Sequence, residues 1–243
     1  MEVLVTGGTG TLGSIVVDRL RSAGHIARVL SRSAKAGVVT GDLRKNLGIG
    51  PAVTGVDVIV HCATGRGDVS ATKNLVHAAR SSGNPHLVYI SIVGVDRIPF
   101  SYYRQKLQAE AVISGSGLPF TILRSTQFHT LVAGIFDAQR KVPLLVVPSV
   151  SVQPVEVSEV ADVLAGLAVA EPAGRVPDFG GPEVRPAHEF ASAWQRAEGQ
   201  YRHQVPLRLP GGTFRALREG RNVTSGLPTG SVTFDEFLAA RKR

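Results

Sequence analysis

Residues 3–13 read VLVTGGTGTLG, an apolar strand that runs into three glycines spaced three apart and then into an apolar helical pattern. Gly7 allows a sharp turn off the strand, Gly10 leaves no Cβ in the way of a pyrophosphate, and Gly13 lets the helix lie close to the sheet. The free N–H groups and the dipole at the start of that helix attract a phosphate anion. The stretch therefore predicts the first strand-turn-helix unit of a dinucleotide site.

Short apolar runs alternate with helical or polar stretches through the first half of the chain. The predicted strands are residues 3–5, 26–30, 38–40, 56–62, 87–91 and 120–123, and the predicted helices are residues 12–22, 71–82 and 102–114. This alternation is typical of a parallel sheet that is covered by helices on both faces. We therefore expect an α/β fold with a doubly wound parallel sheet.

The pattern after Arg124 is less regular and predicts a smaller lobe. Helices are expected over residues 127–140, from about residue 158, and around Phe190 and Trp194, with a short strand over residues 144–147. Thr233 and Glu236 have the spacing of a capping box at the start of a last short helix.

The composition excludes several classes of protein. The net charge of +8 comes from scattered basic residues without a Lys/Arg run, which argues against nucleic-acid binding. No apolar run approaches the roughly 18 residues of a membrane span. Cys62 is the only cysteine, predicted to pack in the core, and the seven histidines lack metal-ligand spacing, so we expect neither a disulfide nor a metal site. We expect a soluble cytoplasmic protein.

The residues after the second predicted strand indicate which dinucleotide is bound. A carboxylate there would bind the 2′-hydroxyl of NAD, but residues 30–33 read LSRS. Arg32 can pair with a 2′-phosphate, Ser33 adds a hydroxyl and Lys35 a second cation, so the sequence favours NADP (NADPH) over NAD. The alternative for Arg32 is an ordinary solvated position on the surface.

Two further loops offer cofactor contacts. Asp42 and Leu43 follow a short predicted strand, where the carboxylate can accept a hydrogen bond from the adenine amino group and the leucine can pack on the ring. The alternative is that Asp42 caps a local turn. Ala63 and Thr64 are small residues at the end of the next strand, where the backbone can pass the cofactor ribose.

A second cluster consists of Ser91, Tyr102 and Lys106. Tyr102 and Lys106 are four residues apart on a predicted helix and so share a face. An ammonium beside a phenol favours the phenolate and lowers the phenol pKa, which suits proton transfer, and Ser91 can hydrogen-bond the same substrate oxygen. The alternative is that Tyr103, three residues before Lys106, faces inward instead.

Together these motifs resemble the short-chain dehydrogenase/reductase superfamily. Residues 91–96, 123–128 and 233–238 are similar to its atypical, NmrA-like branch, so the resemblance covers nearly the whole chain. It implies a single NAD(P)-binding Rossmann domain over residues 1–243. It also implies a small C-terminal substrate lobe, mainly in segments 128–152 and 180–243.

The resemblance also implies roles for individual residues. The implied cofactor contacts are Gly7, Gly10, Thr11, Leu12 and Gly13 at the pyrophosphate, Arg32 at the 2′-phosphate, Asp42 and Leu43 at the adenine, and Thr126 and Phe128 at the nicotinamide. From the residues themselves we also expect cofactor contacts by Thr9, by Ser33, and by Ala63, Thr64 and Lys106 beside the ribose. Ser91, Tyr102 and Lys106 are the implied catalytic set. Phe128, His129 and Phe136 are expected to line the substrate pocket, with core packing as the alternative for each. The superfamily's catalytic Asn has no clear counterpart, since Asn74 lies nearer to Ser91 in sequence than expected.

The expected function is that of an NADP-dependent oxidoreductase that reduces a small carbonyl or quinone-like substrate, with Tyr102 as the general acid. The alternatives are a non-catalytic, NADP(H)-sensing regulatory protein and an isomerase or dehydratase that uses the cofactor transiently. We expect a small-molecule substrate, no nucleic-acid or membrane partner, and a monomer or homodimer.

Overall fold

A computed structural model describes residues 1–34, 36–65 and 67–241; Lys35, predicted at the phosphate site, lies outside these residues. The strands are β1 (Glu2–Thr6), β2 (Ile26–Ser31), β3 (Val38–Thr40), β4 (Val58–His61), β5 (His86–Ile92), β6 (Phe120–Ser125), β7 (Leu145–Pro148), β8 (Ser151–Val152), β9 (Gly174–Arg175), β10 (Arg185–Pro186) and β11 (Gln204–Leu207). The helices are α1 (Thr11–Ser22), α2 (Ile49–Val53), α3 (Asp68–Arg80), α4 (Ser101–Ser114), α5 (His129–Asp137), α6 (Val157–Val169), α7 (Ala187–Glu198), α8 (Gly212–Arg218) and α9 (Phe234–Arg241).

Seven of these strands form one sheet in the order β3-β2-β1-β4-β5-β6-β9. β1 runs parallel to β2 on one side and to β4 on the other, so the strand order reverses direction at β1. Open α/β sheets bind ligands at the carboxyl ends of the strands beside such a reversal. The predicted Rossmann-type, doubly wound sheet is confirmed.

The chain forms two compact units. The first comprises Met1–Ser91, Ser101–Arg124 and Val160–Pro177, and the second comprises Ile92–Phe100, Ser125–Glu159 and Asp178–Arg243. The core of the first unit is built from apolar strand residues such as Leu4 and Ile59 together with helix residues such as Leu75 and Ile113, all fully buried. Within the described residues, no helix is long and apolar enough to cross a membrane.

Aromatic side chains fill the core of the second unit. Phe190 and Trp194 on α7 are fully buried, as is Phe234 at the start of α9. The predicted capping box is confirmed, because the Glu236 carboxylate accepts a hydrogen bond from the Thr233 backbone N–H at 2.8 Å and the Glu236 N–H donates to the Thr233 hydroxyl at 3.2 Å. This reciprocal pair satisfies N–H groups that have no partner inside the helix.

The helix predicted over residues 127–140 is shorter in the structure, where α5 begins at His129 and ends at Asp137. The backbone carbonyl of Gln127 accepts from Val155 N–H at 2.8 Å, and His129 N–H donates to Val155 carbonyl oxygen at 2.9 Å. This pairing holds Phe128 extended, and an extended residue cannot be part of the helix. The short helices α2 and α8 were not predicted, because five to seven residues are too few to show a helical period.

A buried histidine links β1, β4 and α3 in the first unit. Thr6 Oγ1 lies 2.6 Å from His61 Nδ1, and His61 Nε2 lies 3.2 Å from Thr72 Oγ1. The Thr72 hydroxyl donates its proton to the Asp68 carbonyl oxygen, so it can only accept from His61. His61 therefore carries its proton on Nε2 and accepts from Thr6 on Nδ1. Burial lowers the pKa of His61 to about 3, which keeps the ring neutral.

This histidine makes stability depend on pH. Below about pH 6.5 the unfolded chain protonates His61 while the folded chain does not, so protons favour unfolding. As the pH falls from the unfolded to the folded pKa of His61, we expect the free energy of unfolding to decrease by up to about 1.4 kcal/mol for each pH unit. Urea unfolding at several pH values measures this slope. The slope should flatten in His61→Gln and persist in His188→Gln, an exposed position; an equal slope in both variants would exclude the assignment.

Candidate functional site

A cavity of about 400 Å³ lies in the first unit at the carboxyl ends of β1, β2 and β4. Four separate segments line it: the turn after β1, the residues after β2, the loop after β3, and the residues after β4. Predicted cofactor residues among its lining are Gly7, Thr9, Gly10, Arg32, Ser33, Asp42, Leu43, Ala63 and Thr64. The fold thus brings together at one edge of the sheet residues that are up to 57 positions apart in the sequence.

The glycine turn brings α1 against the end of β1. Gly7 has φ +70°, and a Cβ at this position would lie 2.7 Å from the Ala63 nitrogen. A Cβ on Gly13 would lie 2.3 Å from the Gly7 carbonyl oxygen, a distance that no side chain tolerates. The closeness of helix and turn therefore depends on the absence of both side chains.

The start of α1 is prepared for an anion. Gly10 caps the helix, and its first hydrogen bond runs from Ser14 N–H to the Gly10 carbonyl at 3.0 Å. The N–H groups of the first helical turn consequently have no carbonyl partner within the helix. The first turn contains no acidic residue that would compete with a phosphate. Thr11, Leu12 and Gly13 form this turn, and the Leu12 side chain is buried rather than part of the cavity lining.

The cationic side of the cavity has two guanidinium groups. Arg32 follows β2 and is exposed, and Arg44 lines the same cavity from the loop after β3. Sequence reasoning missed Arg44, although its position two residues after Asp42 was a usable signal. Asp42 Oδ1 accepts from the backbone N–H groups of Arg44 at 2.8 Å and Lys45 at 3.2 Å. The turn-capping alternative for Asp42 is therefore observed, and the predicted adenine contact stays a prediction.

A hydrogen-bonded line of side chains leads away from Tyr102 on α4. The Tyr102 hydroxyl lies 2.7 Å from Thr64 Oγ1, and the Thr64 hydroxyl donates to Asp68 Oδ2 at 3.1 Å. Lys106 Nζ lies 3.8 Å from the same Asp68 oxygen and donates to the Ile90 carbonyl oxygen at 3.2 Å. Asp68 and Lys106 are both buried.

The predicted effect of Lys106 on Tyr102 is wrong for this structure. The two residues share α4, but the ammonium group lies beside Asp68 and 4.7 Å above the ring centroid of Tyr89. The pKa of Tyr102 is raised because burial disfavours the phenolate, and the Thr64 hydrogen bond offsets only part of this effect. Burial also lowers the pKa of Lys106, while Asp68 acts in the opposite direction.

Ser91 lies at the end of β5 with its Oγ buried and without a hydrogen-bond partner among the described residues. An unpartnered buried hydroxyl is costly, which is typical of a group that serves a ligand.

Asn74 donates its side-chain amide to the Leu43 carbonyl oxygen at 2.7 Å, so its role here is to hold the Asp42 loop. Cys62 is only partly buried and lines the cavity, against the predicted core position, and burial raises the pKa of its thiol to about 12.

The remaining predicted residues belong to the second unit. The Thr126 hydroxyl accepts from Gly181 N–H at 3.3 Å, and Phe128 is partly buried at the start of α5. His129 is buried; its Nε2 pairs with the Val232 carbonyl oxygen at 2.9 Å and its ring stacks on Phe237. Phe136 is 2% exposed and packs against Trp194, which favours the core alternative for this residue.

The residues of the first unit fit a dinucleotide. Gly7 and Gly10 of the glycine turn line the cavity without side chains, free N–H groups begin α1, and two guanidinium groups line the same cavity. The described residues contain no cluster of three or more His, Cys, Asp or Glu side chains that could bind a metal ion.

Comparisons with known proteins agree with this geometry. Residues 7–169 match the model of a family described as NAD(P)H-binding. The chain is 27% identical over 221 residues to a Streptomyces griseus (4-alkanoyl-5-oxo-2,5-dihydrofuran-3-yl)methyl phosphate reductase, covering 85% of this chain and 76% of that protein. A solved Escherichia coli NADPH-dependent quinone oxidoreductase with bound NADPH has a TM-score of 0.78 at 18% identity, over 99% of this chain and 100% of that one. At this identity the structural likeness shows the fold alone.

Not every relative is named as an enzyme. The chain is 29% identical over 166 residues to a photosystem II assembly factor of Cyanophora paradoxa, covering 60% of this chain and 50% of that protein. The chain spans about half the length of the first curated relatives that it matches.

The closeness of α1 to its turn gives a direct test. Gly13→Ala would place a methyl group against the Gly7 carbonyl oxygen, and we expect a loss of about 1–3 kcal/mol in the free energy of unfolding, as is typical of overpacking. Gly166→Ala is the matched control, because this exposed helical glycine has no atom within 4 Å of an added Cβ. It should be neutral or stabilising by up to about 1 kcal/mol. Urea unfolding compares the two, and equal stability would contradict the packing argument.

Proposed function

This chain belongs to the NAD(P)H-binding family, and from that membership we propose that it is an NADP-dependent oxidoreductase that reduces a small carbonyl or quinone-like compound. The observation that carries the proposal is the cavity of the first unit. Its lining includes a glycine turn, two guanidinium groups and Thr64, which is hydrogen-bonded to Tyr102. Phosphate recognition and a proton donor are thus linked within one unit.

The charge of the cavity supports NADP over NAD. Arg32 stands where NAD-binding sites carry a carboxylate, and Arg44 adds a second positive charge to the lining. A guanidinium forms bidentate, charge-assisted hydrogen bonds with a phosphate, while it gains little from a free ribose hydroxyl. Ser33 adds a hydroxyl to the same part of the lining.

When bound, the nicotinamide would supply the hydride. The raised pKa of Tyr102 keeps its phenol protonated at neutral pH, so the side chain can donate a proton to the substrate oxygen. The buried hydroxyl of Ser91 is a second donor that can hold the same oxygen. Asp68, which pairs with Lys106, accepts a hydrogen bond from the Thr64 hydroxyl and so helps to hold the loop that carries Thr64.

One observation favours a second candidate, a non-catalytic protein that senses NADP(H). Lys106 is engaged by Asp68 and the Ile90 carbonyl rather than by the phenol, so the expected activation of Tyr102 by this lysine is missing. A sensor of this kind would bind the cofactor without turnover, and Tyr102 would be dispensable to it.

The role of Arg32 predicts a change in cofactor preference. Arg32→Gln should raise the Kd for NADPH by about 10- to 100-fold, the usual worth of a charge-assisted hydrogen bond, and leave the Kd for NADH unchanged. Isothermal titration calorimetry measures both constants. Arg80→Gln, an exposed position at the end of α3, is the control and should change neither. An equal effect of Arg32→Gln on both cofactors would contradict the 2′-phosphate contact.

The role of Tyr102 predicts a loss of turnover without a loss of binding. In Tyr102→Phe we expect kcat for NADPH-dependent reduction of a panel of ketones, aldehydes and quinones to fall about 10²- to 10⁴-fold, the typical worth of a general acid. The Kd for NADPH should stay within about twofold of wild type. Tyr103→Phe, on the neighbouring residue of α4, tests the alternative and should retain turnover. Binding without turnover of any panel compound in the wild type would favour the sensor.

A further inference from the structure

The side chains behind Tyr102 form a continuous path along which a proton can move. Tyr102 Oη and Thr64 Oγ1 are 2.7 Å apart, and Thr64 Oγ1 and Asp68 Oδ2 are 3.1 Å apart. Both separations are within hydrogen-bond range for oxygen pairs or at its edge. Thr64 and Asp68 also line the cavity, so the path opens to exchange with solvent at the carboxyl group.

The direction of these hydrogen bonds depends on one proton. When Asp68 is a carboxylate it can only accept, so the single Thr64 proton points to Asp68 and Thr64 must accept from Tyr102. The phenol proton then points to Thr64 and away from a substrate. When Asp68 is protonated it can donate to Thr64, Thr64 can donate to Tyr102, and the phenol proton is free to point to another acceptor.

We propose that Thr64 and Asp68 form a proton relay behind Tyr102, in which Asp68 resupplies through the Thr64 hydroxyl the proton that the phenol gives up. This inference rests on the proposed reductase function. In the step, the Tyr102 O–H bond breaks as the substrate O–H bond forms, and Tyr102 takes the Thr64 proton. Thr64 then takes the Asp68 proton. Asp68 is left as a carboxylate, and its hydrogen bonds have the direction described for the ionised state.

The surroundings of Asp68 suit a group that changes its protonation state. Burial raises its pKa, while Lys106 on α4, the Thr64 hydroxyl and the Gly65 backbone N–H lower it. Among the described residues, Tyr89 of β5 and Tyr102 of α4 also interact with the Asp68 carboxyl group. Lys106 in turn faces Cys62 and Glu110 as well as Asp68. After the transfer the nearby ammonium stabilises the new carboxylate.

Asn74 does not take part in this path, because its side-chain amide donates a hydrogen bond to the Leu43 carbonyl oxygen. Thr64 and Asp68 are reached only because the loop after β4 and the start of α3 place them beside α4. In this arrangement Thr64 and Asp68 are positioning residues that act through Tyr102.

Nuclear magnetic resonance of the cofactor-free full chain tests the relay without a substrate. Tyrosine labelled with ¹³C at Cζ gives four signals, and Tyr102→Phe identifies that of Tyr102. We expect the chemical shift of the Tyr102 signal to change with pH, and the midpoint of this change should equal that of the labelled Asp68 carboxyl carbon. Asp68→Asn and Thr64→Val should abolish this inflection, while Thr64→Ser should retain it. Asp18→Asn, the same change at an exposed position on α1, should also retain it.

Two results would overturn the relay: a Tyr102 signal that does not follow Asp68 in the wild type, or an inflection that persists in Thr64→Val and so arises through space. The loaded enzyme adds a kinetic result. Its kcat for reduction should fall towards tenfold per pH unit as Asp68 ionises, and this dependence should vanish in Asp68→Asn; an unchanged pH profile would also overturn the relay. The results distinguish failure of the relay from failure of the reductase function. If the Tyr102 signal follows Asp68 through Thr64 but the wild type shows no turnover, the reductase function is contradicted and the hydrogen-bond path remains. If the wild type shows turnover but the Tyr102 signal does not follow Asp68, the relay is contradicted and the reductase function remains.

Discussion

The contact between Gly13 of α1 and the Gly7 carbonyl is the constraint on which the rest of the first unit depends. A Cβ at Gly13 would lie 2.3 Å from that oxygen, so the helix can approach the turn only because the side chain is absent. This approach sets the position of the helix N-terminus, whose first N–H groups have no partner within the helix. The adjoining turn at Gly7 packs against Ala63 after β4, and it thereby connects the glycine turn to the loop that carries Thr64.

Around that turn, the buried ionisable side chains of His61, Asp68 and Lys106 each have a hydrogen-bond partner or an oppositely charged neighbour. His61 is held neutral between two threonine hydroxyls, which satisfies both ring nitrogens without charge. Asp68 and Lys106 are buried side by side, and each reduces the cost of burying the other's charge. Thr72 bonds the backbone carbonyl of Asp68, and Thr64 bonds its carboxyl group, so the two networks meet at the first residue of α3. The end of β4 is consequently a rigid polar layer beneath the cavity.

Much of the fold was predictable because its signals are local. Alternating apolar runs predicted the order of strands and helices through α4 apart from the short helix α2, and the Thr233 and Glu236 pair predicted the start of α9. The start of α5 was not predictable, because Gln127 and His129 pair through their backbone with Val155, a residue distant in sequence. Within the cavity, the predicted Gly7, Gly10, Arg32 and Thr64 line one surface, whereas Arg44, two residues after Asp42, joins them only because the loop after β3 folds against the cavity.

The sequence by itself determined the strand-turn-helix unit at the start of the chain, because Gly7 and Gly13 occupy positions whose steric requirements only glycine satisfies. It also placed Tyr102 and Lys106 on one helix, because four residues span about one turn. The tertiary structure decided what each of them faces. Lys106 lies against Asp68 because α3 and α4 pack side by side, and Tyr102 meets Thr64 because the loop after β4 ends beside α4. Neither partner is near in sequence, so only the folded chain could bring these charges and hydroxyls together.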